Sequence, residues 1–187
     1  KQRVTLPHPI IHRVHPVALG RKRDALQYLL AQTPDQRTLV FTRTKHGADR
    51  LVKQLEADGI AAEAIHGNKS QPQRTRALEA FKQGRTRVLV ATDIAARGID
   101  VDQVTHVVQY DLPDVPETYV HRIGRTARAG AAGAAIAFCA GDDVSNLRQI
   151  EKTIRQPVPR AALPALPGVA AVTERAAGAE RPAQHPQ

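Results

Sequence analysis

The chain of 187 residues contains no tryptophan, no methionine and a single cysteine. One thiol can form neither an internal disulfide nor a cysteine-only zinc site, so the composition favours a reducing, cytoplasmic environment. That thiol, Cys139, lies in the apolar run 134–140 and is expected to be a buried strand residue rather than a reactive group. Since the sequence starts at Lys1 and lacks methionine, we expect it to be a segment of a longer protein.

Aromatic residues and long apolar runs are also scarce. Only 3% of the residues are aromatic, which argues against a surface that stacks single-stranded bases. No apolar run approaches the length needed to cross a bilayer, so no membrane partner is expected. The net charge of +9 instead favours an anionic partner such as nucleic acid, held mostly through its sugar-phosphate backbone. A basic domain that is merely soluble is the alternative.

Apolar runs of strand length alternate with longer stretches of helical period. This alternation, with short connections, predicts an α/β fold with a mostly parallel sheet and helices on both faces. The predicted strands are Ile11–Val17, Thr38–Thr42, Ala61–Ile65, Arg87–Ala91, Val104–Gln109 and Ala134–Phe138. The predicted helices are Arg21–Gln32, His46–Asp58, Gln71–Gln83, Pro116–Ile123 and Asp143–Ile154.

Several residues predict where helices begin and end. Ser70 followed by Gln73 predicts a capping box, and Gly59 and Gly84 suit left-handed positions just after helices. From Gln156 the composition changes to Pro, Ala and Arg without an apolar period. We therefore expect one domain over residues 1–155 and a linker or tail over residues 156–187 that is disordered, the alternative being a docked segment.

The sequence offers no phosphate loop of its own. Gly67-Asn-Lys-Ser70 resembles one only superficially, because Asn68 interrupts the required glycine-lysine pair. There is also no Asp-Glu-Ala-Asp cluster that could hold magnesium. The isolated chain is therefore expected to be inactive in nucleotide hydrolysis.

The segment His66–Arg74 follows a strand and opens a helix. Free backbone N–H groups at a helix start attract anionic oxygens. Gln71 and Arg74 share one helix face and could hold a phosphate and a sugar together. An ordinary solvated helix start is the alternative.

The segment Ala91–Asp100 follows the next strand. Thr92 and Asp93 at the strand exit can contact a ribose-phosphate chain, and Gly98 permits a tight turn. Asp100 could accept hydrogen bonds from sugar hydroxyls. Taken alone, such aspartates are more often caps or turn residues.

The segment Tyr119–Gly130 concentrates arginines beside a glycine. The helix that begins near Pro116 is expected to end at Gly124, which leaves Arg125 and Arg128 on a loop. Loop arginines beside a cleft can reach the terminal phosphate of a nucleotide held by another domain, an effect worth roughly a thousand- to hundred-thousand-fold in rate. An RNA-facing basic patch without catalytic duty is the alternative.

These segments, in this order, resemble the second RecA-like domain of DEAD-box ATP-dependent RNA helicases, in the bacterial RhlE-like subgroup. The resemblance covers residues 8–155, and His121 separates this group from DEAH-box and RecQ-like relatives, which carry glutamine there. The segments matching the fourth motif, the Gln-x-x-Arg element, the fifth motif and the sixth motif are Leu39–Lys45, Gln71–Arg74, Ala91–Asp100 and His121–Arg128.

The resemblance implies the C-terminal half of an RNA-unwinding ATPase. ATP and Mg2+ would be held mainly by an N-terminal RecA-like domain of the same polypeptide. Arg125 and Arg128 would be catalytic fingers on the γ-phosphate, and Gly98 and Asp100 would border the ribose. A non-catalytic RNA-binding or adaptor module that keeps the fold is the competing hypothesis.

The resemblance also implies the residues that contact RNA and the other domain. Phe41 would pack under the sixth motif and support its arginines. The residues that would line the RNA backbone are Thr44, Gln71, Arg74 and Thr92. The residues that would couple the RNA and nucleotide sites across the interdomain cleft are Arg97, His121 and Arg122.

Overall fold

A computed structural model of the chain describes residues 10–97, 104–126 and 133–163. Strands and helices alternate through these ranges. The strands are β1 (Ile10–Pro16), β2 (Thr38–Phe41), β3 (Ala62–Ile65), β4 (Val88–Ala91), β5 (His106–Gln109) and β6 (Gly133–Cys139). The helices are α1 (Lys22–Gln32), α2 (Lys45–Ala57), α3 (Gln71–Lys82), α4 (Asp93–Ala96), α5 (Pro116–Ile123) and α6 (Val144–Ile154), with a 3-10 turn at Gly141–Asp143.

All of these strands pair in parallel, in the order β1-β6-β5-β2-β4-β3. The register is level at the carboxyl ends of four neighbouring strands. Phe41 of β2 lies opposite Ala91 of β4 and Gln109 of β5, and Ile65 of β3 lies opposite Ala91. The loops that follow these residues therefore leave the sheet side by side, which is where parallel sheets bind ligands.

Helices cover both faces of the sheet. Val40 packs in one core cluster with residues of α1 and α2. Its neighbours Leu39 and Phe41 point the other way, into a cluster with α3 and α4. A third cluster joins α5 and α6 to β1 and β6. The predicted α/β architecture is confirmed. No helix within the described ranges is both long and apolar enough to span a bilayer.

The local signals in the sequence correspond to the observed geometry. The Ser70 hydroxyl accepts from the Gln73 N–H at 3.3 Å, and the Gln73 side chain accepts from the Ser70 N–H at 2.8 Å, which completes the capping box. Gly59 and Gly84 have φ values of 79° and 76°. Cys139 is buried on β6, and burial raises its thiol pKa. These predictions are confirmed.

Two features differ from the sequence-based prediction. The segment after Ala91 contains the short helix α4, whose four residues are too few to show a period. The residues after Gln156 do not start a linker, because the backbone N–H groups of Val14 and Ala161 donate to the Pro159 and Val14 carbonyls at 2.8 and 2.9 Å.

This docked segment, residues 156–163, lies along β1, the edge strand of the sheet. Val158 is 1% exposed within the third core cluster. Covering an open strand edge satisfies backbone groups that would otherwise face solvent. Residues 156–163 are therefore docked on the domain, and the rest of the predicted tail, residues 164–187, lies outside the described residues.

Candidate functional site

Helix α5 carries the central side chain of the carboxyl edge. Pro116 at its start and Gly124 after its end fix its length at eight residues. Tyr119 and Ile123 point into the core, and Arg122 in the last turn suits the negative end of the helix dipole. The helix thereby directs Arg122 back over the ends of β2, β4 and β5.

The guanidinium of Arg122 is 2% exposed and is compensated by acceptors from three neighbouring segments. Its Nε and Nη2 groups donate to the two carboxylate oxygens of Asp93 at 2.6 and 2.7 Å. Its Nη1 group donates to the Asp111 carbonyl at 2.6 Å and to the Gln109 side chain at 3.2 Å. A bidentate carboxylate is the strongest neutralising partner for a buried arginine.

Phe41 lies under this ion pair. The central carbon of the Arg122 guanidinium is 5.1 Å from the centre of the Phe41 ring. An arginine at this distance over an aromatic face gains a cation–π attraction of roughly 0.5–2 kcal/mol. The packing of Phe41 beneath the arginine segment was predicted from the sequence, and the geometry has that form.

The sequence did not identify the partners of Arg122. Asp93 was expected to cap a turn or contact a ribose-phosphate chain, and it instead holds Arg122. Gln109 and Asp111 were not singled out. The sequence held no signal for them, because it does not give the strand order that places the ends of β4 and β5, at Ala91 and Gln109, on either side of Phe41.

The loop after β2 positions Thr44. Its hydroxyl accepts from the Gly47 N–H at 3.0 Å and so caps α2, and the side chain is exposed. Thr92 begins α4, and its N–H donates to the Ile65 carbonyl at 3.3 Å. These bonds fix the two threonines at neighbouring loops of the same edge.

Helix α3 contributes the other two side chains that were expected to contact RNA. Gln71 is exposed at the first position of the helix. Arg74 is partly buried, and its Nη2 group donates to the Ala95 carbonyl at 3.2 Å. This bond joins α3 to α4, so the loops after β3 and β4 form one continuous surface.

The structure describes three of the remaining predicted site residues, Arg97, His121 and Arg125. Arg125 is partly buried just beyond α5, and its N–H donates to the Arg122 carbonyl at 3.2 Å. Arg97, which follows α4, and His121 on α5 are exposed. Gly98, Asp100 and Arg128 lie outside the described residues.

The described side chains of this edge leave a positive charge that suits an anion. Asp93 neutralises Arg122, whereas Arg97 is exposed at the same edge and extends its positive charge toward solvent. In the ranges that the structure describes, no group of three or more His, Cys, Asp or Glu side chains could hold a metal.

Residues 21–130 match the family model described as the helicase conserved C-terminal domain. The DEAD-box ATP-dependent RNA helicase CshA of Geobacillus kaustophilus is 44% identical over 146 residues, covering 78% of this chain and 31% of the relative. The chain therefore spans about a third of the length of the curated relatives it matches.

Solved structures share the fold. Escherichia coli DEAD-box protein SrmB bound to regulator of ribonuclease activity A is 36% identical with a TM-score of 0.76, covering 82% of this chain and 91% of that chain. Saccharomyces cerevisiae Dbp5 bound to RNA and ADP BeF3 is 33% identical with a TM-score of 0.74, covering 81% of this chain and 41% of that chain.

Proposed function

This chain belongs to the helicase conserved C-terminal domain family, in its DEAD-box group, and on that premise we propose that it is the C-terminal half of an ATP-dependent RNA helicase. ATP and Mg2+ bind mainly to an N-terminal RecA-like domain of the same polypeptide, because this sequence has no phosphate loop. We place the enzyme in the cytoplasm and in the bacterial RhlE-like subgroup.

The Arg122 cluster is the observation that carries this proposal. Asp93, Gln109 and Asp111 fix the last turn of α5, and Arg125 follows that turn directly. Arg125 is thus attached to a rigid helix end rather than to a long loop. A catalytic arginine contributes only when it is preorganised toward the charge that develops on the phosphate. Arg125 and Arg128 are proposed to reach the γ-phosphate, with Gly98 and Asp100 beside the ribose.

The same edge supports RNA binding through the sugar-phosphate backbone. Thr44 and Gln71 are exposed, and Arg74 joins α3 to α4 near Thr92. Hydroxyl, amide and guanidinium donors suit phosphate oxygens without reading the bases. The similar Dbp5 structure is bound to RNA and ADP BeF3, which supports RNA and a nucleotide as the ligands of the full-length enzyme.

The proposed cycle depends on closure of the two domains. Closure brings Arg125 and Arg128 to the γ-phosphate while both domains hold one RNA strand, whose bending releases the complementary strand. Hydrolysis and phosphate release then reopen the cleft. Arg97 and His121 lie exposed at the edge and couple the two sites. Arg122 couples them indirectly, by holding α5 against the loop that begins at Asp93.

The full-length enzyme tests this proposal through its RNA-stimulated ATPase. Arg125→Ala and Arg128→Ala are each expected to lower turnover by at least about a hundredfold, because each removes a charge that stabilises the transition state. Arg148→Ala is the matched control, since Arg148 is exposed on α6 and is not one of the predicted site residues. Unchanged turnover in both finger variants would instead favour a non-catalytic RNA-binding module.

A further inference from the structure

The loop between β3 and α3 is fastened by a buried histidine. His66 is 2% exposed, directly after β3. Its Nδ1 accepts from the Asn68 N–H at 3.2 Å, and its Nε2 lies 2.8 Å from the Asp49 carboxylate on α2. Because Nδ1 is an acceptor, the ring proton lies on Nε2 and is donated to Asp49. Both ring nitrogens are therefore satisfied inside the protein.

Two lysines reinforce this contact. Lys69 Nζ lies 3.5 Å from the same Asp49 oxygen, and Lys45 Nζ donates to the Asn68 side chain at 3.2 Å. Burial by itself would raise the Asp49 pKa, but the hydrogen bond from His66 and the positive charge of Lys69 outweigh burial and lower it. Asp49 is thus an ionised acceptor at neutral pH.

The contact joins two elements that carry RNA-binding residues under the proposed function. Helix α2 begins at the Thr44 cap and includes Asp49, whereas the loop that begins at His66 leads into α3 and its Gln71 and Arg74. The spacing between Thr44 and the α3 residues depends on how firmly this loop is held to α2.

We propose that Asp49 and His66 are positioning residues that fix the loop before α3 against α2 and so set the distance between Thr44 and the Gln71–Arg74 pair for one RNA strand. The proposal rests on the proposed function. Without the Asp49 carboxylate, the buried His66 N–H loses its acceptor. An unsatisfied buried donor is costly, so the loop would have to open to hydrate it.

The charge of Asp49 means that the direction in which RNA affinity changes on substitution distinguishes an electrostatic role from a positioning role. A carboxylate on a surface that binds RNA repels phosphates, so electrostatics alone predicts that its removal tightens binding. A positioning role predicts the opposite for Asp49→Ala. Asp49→Asn removes the charge but keeps a side-chain oxygen that accepts from His66, so it is expected to preserve RNA affinity.

The test measures the RNA concentration that gives half-maximal ATPase stimulation in the full-length enzyme. Asp49→Ala is expected to raise this RNA concentration at least about fivefold. Turnover at saturating RNA is expected to stay within about twofold of the wild type, because the variant loses RNA binding in the ground state and not transition-state stabilisation. Asp49→Asn is expected to stay within about twofold of the wild type or to bind more tightly. Asp58→Ala is the matched control, because Asp58 pairs with Arg23 at the opposite end of α2.

Each other outcome overturns the inference. If Asp49→Ala leaves the RNA concentration for half-maximal stimulation unchanged or lowers it, Asp49 acts on RNA only through its charge and has no positioning role. An equal loss in Asp58→Ala would indicate general destabilisation of α2. If the wild-type enzyme has no RNA-stimulated ATPase, the proposed function fails and this inference fails with it, whereas the first two outcomes leave the proposed function standing.

Discussion

At the residue scale, Arg122 is a charged group removed from water. Its acceptors are the Asp93 carboxylate, the Gln109 side chain and the Asp111 carbonyl. Breaking a buried ion pair by removing one partner typically costs more than the pair contributes, because the remaining charge is left uncompensated. The cost is lower here because the Asp93 side chain is 39% exposed, so water can reach the Arg122 guanidinium when the carboxylate is removed.

We therefore expect Asp93→Ala to lower the free energy of unfolding of this chain by about 2 kcal/mol. Arg122→Met keeps the volume over Phe41 and should destabilise by a similar amount. The double variant should be more stable than the sum of the two single losses predicts, by about 1 kcal/mol or more. Urea denaturation of the four proteins measures this coupling, and simple additivity would contradict it.

The residues around Arg122 also show what sequence can predict at this scale. Phe41 beneath the arginine segment followed from the family resemblance. Asp93 did not, because a carboxylate after a strand can face a ligand, cap a turn or neutralise an arginine, and composition does not distinguish these roles. Only the register of β2 with β4 and β5 determines which role Asp93 has.

At the element scale, long periodic segments were predicted with bounds within about two residues, as expected for strongly patterned elements. Helix α4 was not predicted, and a docked segment was only the alternative to a disordered linker, since neither α4 nor residues 156–163 have enough apolar residues to show a period. Their stability comes from contacts distant in sequence. Arg74 holds α4 through the Ala95 carbonyl, and Val14 holds the docked segment through two backbone bonds.

Glu151 on α6 fastens the docked segment electrostatically. Its carboxylate accepts from the Val158 N–H at 3.0 Å and from Arg160 Nη1 at 2.7 Å. Burial tends to raise the Glu151 pKa, but these hydrogen bonds and the charge of Arg160 outweigh burial and lower it from its usual 4.5. A folded-state pKa below the unfolded value stabilises the protein above that unfolded value, and the stabilisation is lost as pH falls through the folded pKa.

Glu151→Gln is therefore expected to lower the free energy of unfolding by about 1 kcal/mol at neutral pH, because the charge-assisted bonds weaken. The difference from the wild type should shrink as the pH falls below about 4 and disappear below the lowered folded-state pKa of Glu151, where both side chains are neutral. Glu56→Gln, at an exposed position of α2, is the control. Denaturation at neutral pH and at low pH measures the difference in the free energy of unfolding. A difference that does not change with pH would exclude the ion pair between Glu151 and Arg160.

At the scale of the whole molecule, the sequence predicted six strands in a mostly parallel sheet but not their order. The strand order depends on how the connecting helices pack against the sheet. This order makes the carboxyl ends of β3, β4, β2 and β5 adjacent. The polar and cationic side chains Thr44, Arg74 and Arg97 lie on the loops of one sheet edge or at the start of the helices that follow.

A backbone-binding edge of this kind predicts weak, salt-sensitive RNA affinity for the isolated chain, because only one of the two domains is present. Each phosphate that a lysine or arginine of this edge neutralises should add about −0.7 to the slope of the logarithm of the binding constant against the logarithm of the salt concentration for single-stranded RNA. Arg74→Ala should reduce the magnitude of this slope by about 0.7, the contribution of one phosphate contact, whereas Arg148→Ala should leave the slope unchanged. Fluorescence anisotropy at several salt concentrations measures the slope. Affinity that does not change with salt would mean that phosphates are not what this edge binds, since displaced counterions are the unavoidable signature of phosphate neutralisation.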